Sequence, residues 1–180
     1  MTRWVALLAG INIGGKTTVP MAQLRTVFAD LGYRDVQTYI QSGNVVFAED
    51  TGDEGKVIAA IRPALSATFG WDIEVLLRTA PELAAVVAGN PFLERQDDPT
   101  KLLVTFLSAE PAADRAARLQ QPPAGETGEV ALAGREVYVH APDGYGRSKL
   151  NNAYLARVLG VAATTRNWKS VTKLHELATG

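Results

Sequence analysis

The chain has no cysteine, two histidines and two methionines among its 180 residues. No apolar run in it approaches the ~20 residues that a membrane-spanning helix requires. The missing cysteine excludes disulfides, thiolate nucleophiles and cysteine-ligated metals. With only His140 and His175 present, a histidine-rich metal centre is excluded as well, and no metal or cofactor is expected. The run Trp4–Ala9 after Arg3 is short, is soon interrupted by Asn12 and has no small-x-small cleavage site, so it reads as a buried first strand and not as a signal peptide. A cytoplasmic protein with no membrane partner is the expectation. Charge of neither sign dominates: 18 Lys and Arg stand against 19 Asp and Glu, a net charge of −1. With 47% hydrophobic residues this composition belongs to a folded protein with a substantial core.

The charge that is present is unevenly placed. From Ala141 to Gly180 the basic residues are Arg147, Lys149, Arg157, Arg166, Lys169 and Lys173, against Asp143 and Glu176, a net charge of +4. A basic C-terminal quarter of this kind points to an anionic partner.

Periodicity divides the chain into two similar halves. Arg3–Gly10 reads as a strand, followed by a helix opened by Pro20, with Met21, Leu24, Val27, Phe28 and Leu31 at helical spacing and Gly32 as its stop. Val36–Gln41 and Val45–Ala48 flank Ser42-Gly43-Asn44 as a hairpin, then come a helix at Gly55–Phe69 and a strand at Trp71–Arg78. After a polar stretch the order recurs: strand Lys101–Leu107, helix Ala112–Leu119, hairpin Glu129–Ala133 with Glu136–His140, helix Ser148–Leu159 and strand Val161–Thr165. A last helix, Asn167–Ala178, closes the chain. The fold class expected is α+β, two ferredoxin-like βαββαβ subdomains formed by internal duplication, with an extra C-terminal helix. The expected subdomains are residues 1–80 and 100–180, joined by a linker at 81–99 that contains a short helix.

GINIGGKT, Gly10–Thr17, matches the G-x-x-x-x-G-K-T pattern of a phosphate-binding loop. A helix starting at Gly15 would enclose Pro20, at a cost of ~3 kcal/mol. The expected start near Pro20 instead leaves Lys16 in a loop, and the hairpin that follows replaces the parallel crossover such enzymes need. The chain is therefore not read as a P-loop NTPase. Asn12, Gly14, Gly15 and Lys16 can still form a concave nest of N–H groups for an anion.

Four segments, GINIGGKTTVPMAQLR, YIQSGNVVF, GRSKLNNAYL and TTRNWKSVTKL, together resemble the bacterial family catalogued as domain of unknown function 1697. The likeness spans nearly the whole chain and implies paired ferredoxin-like subdomains. It implies no activity, so no catalytic residue is carried over. Family members commonly have arginine directly before Gly-Ile-Asn, where this chain has Ala9, and usually lack Ser or Thr at the position of Thr17. If that arginine helps hold an anion, this chain binds more weakly or binds something else.

Other motifs weigh less. Ser170 and Lys173 fit S-x-x-K without partner motifs, and Ser42 lacks a nucleophile elbow. Asp97-Asp98 has no further metal ligands, and His140 at a strand end is a base only if a substrate reaches it. More informative is Thr164–Lys169, where a strand runs into a helix capped by Thr165 or Asn167, with Arg166 and Lys169 at its positive end. Arg147 and Lys149, in a loop with Tyr145, two glycines and Ser148 as helix cap, add two cations just upstream. The sequence thus points to binding of a phosphate-bearing ligand, a nucleotide or nucleic acid. The alternatives are a small-molecule enzyme acting between the lobes through Lys16, Arg166 and His140, and a protein-interaction adaptor.

Overall fold

The apolar run that opens the chain forms strand β1, Thr2–Leu8, with Trp4 to Leu8 all buried in the computed structural model, which describes residues 1–180. Then follow helix α1 (Met21–Asp30), strands β2 (Arg34–Thr38) and β3 (Asn44–Glu49), helix α2 (Glu54–Phe69), strand β4 (Val75–Thr79) and helix α3 (Ala80–Ala88). The second series is β5 (Leu102–Leu107), α4 (Ala113–Ala116), β6 (Glu129–Ala133), β7 (Glu136–His140), α5 (Asn152–Leu159), β8 (Ala163–Asn167) and α6 (Trp168–Thr179). The protein is mixed α+β, with six helices and two four-stranded sheets in the orders β2-β3-β1-β4 and β6-β7-β5-β8. Every strand pairing is antiparallel. By internal contacts the chain divides into Met1–Ala84 with Lys173–Gly180, and Ala85–Thr172.

In the first unit the alternation of β1 sends Trp4, Ala6 and Leu8 into a core with Leu24 and Phe28 of α1 and with Val57, Ile61 and Leu65 of α2. The rings of Phe28, Tyr33 and Phe47 meet there, Tyr33 stacking on Phe47 at 4.7 Å and Phe28 meeting it edge-on at 5.2 Å. Each fully buried side chain of this size contributes roughly 1.5–3 kcal/mol. Asp53 caps α2 by accepting the Lys56 N–H, and Gly70 ends it in the left-handed conformation.

The second unit buries Leu103, Leu107, Val137 and Val139 of its sheet against Leu155 and Leu159 of α5. Its first helix is shorter than the sequence predicts: α4 gives way to a 3₁₀ turn at Ala117–Gln120. The helix predicted from Ser148 starts at Asn152. Ser148 is extended, and Asn151, not Ser148, caps the helix by accepting the Tyr154 N–H at 2.9 Å. The serine hydroxyl accepts the Leu150 N–H instead, a local turn that competes with helix. The strands expected at Trp71–Arg78 and Val161–Thr165 are shifted to Val75–Thr79 and Ala163–Asn167. No helix is long and apolar enough to cross a membrane.

Candidate functional site

In the first unit, residues 10–19 form a closed loop between β1 and α1. Asn12, in the left-handed region at φ 55°, holds it shut: its Oδ1 accepts the Val19 N–H at 2.8 Å, and its Nδ2 donates to Val19 O at 3.1 Å and Gln41 O at 2.6 Å. The Asn12 N–H donates to Thr17 O and the Ile13 N–H to the Thr17 hydroxyl. Asn12 and Thr17 are therefore spent on the loop itself. What the loop offers outward is the exposed stretch Ile13, Gly14, Gly15 and Lys16, ahead of a helix that begins at Met21.

In the second unit, an open groove of about 620 Å³ is lined by Pro123, Arg147, Lys149, Asn151, Tyr154 and Arg157 among others. Three cations converge here because the 3₁₀ turn Tyr145–Arg147 and the extended Ser148 carry Arg147 and Lys149 to the start of α5, while Arg157 follows Tyr154 by nearly one helical turn. The Arg157 guanidinium lies 5.6 Å from the Tyr154 ring centre. Neither Arg147 nor Arg157 is paired with a carboxylate, and the Lys149 ammonium donates to Ala124 O at 2.7 Å. Asn152 anchors this end of α5: its N–H donates to the Tyr145 hydroxyl, its Nδ2 to Ala163 O, and its Oδ1 accepts the Thr165 hydroxyl.

A smaller cavity of about 140 Å³ adjoins it, with Glu126 and Asp143 beside Arg147 and Lys149. The Glu126 carboxylate accepts the Lys149 N–H at 2.7 Å, the Gly128 N–H at 2.8 Å and the Ser148 hydroxyl at 3.1 Å. Burial alone pushes this carboxyl up, but the three donors, with the Lys149 charge, outweigh it and hold its pKa below the usual carboxylate value.

The remaining expected site residues lie elsewhere. Arg166 is 5% exposed on β8, where its guanidinium donates to the Thr164 hydroxyl and Thr165 O; burial lowers its pKa to about 10. It lines neither cavity. Asn167 caps α6 by accepting the Ser170 N–H at 2.8 Å, and Lys169 is exposed on that helix. Ser170 is buried, and Lys173 pairs with Glu176. His140 is enclosed: Nδ1 lies 3.3 Å from Glu129, which Arg95 also grips, and Nε2 lies 3.0 Å from the Gln96 amide nitrogen. Because Gln96 accepts the Asp98 N–H through Oε1, its amide nitrogen faces the ring and donates, which leaves the histidine proton on Nδ1 toward Glu129. Sequence reasoning missed Glu126, Asn152 and Tyr154. A lone glutamate in a proline- and glycine-rich loop carries no local signal of its two distant donors, Ser148 and Lys149.

Residues 1–138 match the family model described as protein of unknown function (DUF1697). No curated protein matches the chain. Among solved structures, the conserved bacterial protein SP0830 from Streptococcus pneumoniae is similar with a TM-score of 0.78 at 20% identity, covering 100% of this chain and 99% of that one. At that identity the likeness speaks to fold alone.

Proposed function

The chain belongs to the DUF1697 family of proteins of unknown function, and we propose that it binds a phosphate-bearing ligand, a nucleotide or nucleic acid, in the groove of the second unit. The observation that carries this reading is the convergence of Arg147, Lys149 and Arg157 on one open groove in which neither arginine has a carboxylate partner. Guanidinium groups hold phosphate through paired donors, and Tyr154 supplies an aromatic wall for a base or sugar. Of the residues expected from the sequence, Arg147 and Lys149 belong to this groove. Gly14, Gly15 and Lys16 offer a second, smaller set of donors in the first unit. The βαββαβ element order and the matching strand orders support reading each unit as a ferredoxin-like subdomain and the pair as an internal duplication, divided near residues 81–99. That architecture fits a binding role without requiring one.

The test is thermal unfolding against nucleotides, sugar phosphates and short single-stranded RNA and DNA. A ligand at 100 times its dissociation constant stabilises by about 2.7 kcal/mol. In a chain of this size each kcal/mol moves the midpoint by about 2–4 °C. The expected result is a shift of several degrees that Arg147→Ala with Arg157→Ala abolishes. A flat panel, or a shift indifferent to those substitutions, refutes the assignment.

A further inference from the structure

We propose that Gly128, Ser148 and Lys149 form an oxyanion cradle in which Glu126 sits as a resident latch, and that the ligand's phosphate binds there by displacing the Glu126 carboxylate. This rests on the anion-binding reading above and adds where the ligand's charge is held and what guards the place.

The cradle is already shown to hold an anion. Two backbone N–H groups and a hydroxyl, from two separate segments, converge on the two oxygens of one carboxylate at 2.7, 2.8 and 3.1 Å. Backbone N–H groups and a hydroxyl beside cations are the donors that phosphate oxygens take, and nothing in this set is particular to a carboxylate. Charge favours the exchange. Glu126 brings a single negative charge to a place where Arg147 and Lys149 outnumber the one other carboxylate, Asp143, which is engaged by the Thr127 hydroxyl; with Arg157 on the adjoining groove, a phosphate monoester brings about −1.5 to −2 to the same cations.

The carboxylate can leave because of what carries it. Residues 121–128 contain no fully buried side chain, and the side-chain contacts that tie them down are Lys149 Nζ to Ala124 O at 2.7 Å, the Thr127 hydroxyl to Asp143 at 2.6 Å, and those of Glu126 itself. A segment with no fully buried side chain opens at lower free energy than the core. Closure has a visible requirement as well. A Cβ on Gly128 would stand 2.7 Å from the Glu126 oxygen, 3.0 Å from His140 O and 3.1 Å from Leu150 Cδ1, so a larger residue here would crowd the folded-back carboxylate.

The experiment is a titration of the full chain with inorganic phosphate, following the amide resonances of Gly128 and Lys149 in wild type, Glu126→Gln and Glu126→Ala. Melting curves of all three establish that each is folded. Removing a charge-assisted competitor is expected to tighten phosphate binding about tenfold or more in both variants, with the two amides shifting on saturation. Equal or weaker binding by both variants, or tighter binding that leaves those amides unmoved, overturns the latch while the groove reading stands if Arg147→Ala still weakens binding. No phosphate binding by any of the three proteins overturns both.

Discussion

Replacing Gly43 by alanine tests how tightly the two loops at one end of the first sheet are pinned together. Gly43 has φ +93°, and a Cβ built on it would lie 2.6 Å from Ile11 Cδ1, 3.0 Å from Leu8 Cβ and 3.1 Å from Ile11 Cγ1. Ile11 Cδ1 is the end of a side chain, but Ile11 is itself buried and Leu8 Cβ is fixed to β1, so neither neighbour has room to retreat. Two costs therefore add. An L-residue in the left-handed region costs roughly 1–2 kcal/mol. Overpacking a close-packed site costs about 1–3 kcal/mol more. Gly14→Ala isolates the first: its φ is +68° and nothing stands within 4 Å of the new Cβ. The expectation is a loss of about 2–5 kcal/mol for Gly43→Ala against about 1–2 for Gly14→Ala, read from urea unfolding with the slope fitted freely. If the two losses agree within about 0.5 kcal/mol, the ordinary scatter of surface substitutions, the packing argument is refuted. The loop pair would then be looser than the Asn12–Gln41 and Leu8–Gly43 hydrogen bonds imply.

Two other substitutions probe the second unit. Asn152→Ala removes the partner of the Thr165 hydroxyl, itself bonded to the Thr105 hydroxyl at 2.7 Å, and should cost about 1–3 kcal/mol. Asn151→Ala removes only a cap and should cost about 1 kcal/mol, so a urea midpoint that falls further for Asn151→Ala contradicts the anchoring role of Asn152. Glu129 is held below the usual carboxylate range, first by its hydrogen bonds with Arg95 and then, against opposing burial, by His140. A depressed carboxylate contributes stability that is fully present above its unfolded pKa and is lost as pH falls through the folded one. Wild type should therefore lose stability below about pH 4.5 more steeply than Glu129→Gln, measured as urea midpoints from about pH 6 to about pH 3. Parallel curves would show that the Arg95–Glu129–His140 contact contributes nothing, which is the ordinary fate of an exposed ion pair.

Local signals in this chain were legible wherever one segment settles its own conformation. The apolar run of β1, the hairpin Glu129–Ala133 with Glu136–His140, the Gly32 stop after α1 and the Asn167 cap all follow from neighbours a few residues away. Ser148 failed because a serine before a helical pattern has two uses, and here a glutamate far along the chain takes its hydroxyl. Arg166 shows the same limit for charge. Its place before a helix suggested an anion site, but Ala163, Thr164 and Arg166 of β8 are all buried, and polarity along a strand does not reveal which residues the fold encloses. The consequence reaches the functional argument. Of the six basic residues that give the last quarter its charge, Arg166 is buried, Lys173 is paired and Lys169 stands on another helix. Arg147, Lys149 and Arg157 alone face the groove. Net charge read from a sequence thus does not tell which of its charges a ligand meets. What decides whether those charges are usable is the acidic neighbour each cation finds, and beside Lys149 stands Glu126, whose carboxylate already takes its backbone N–H.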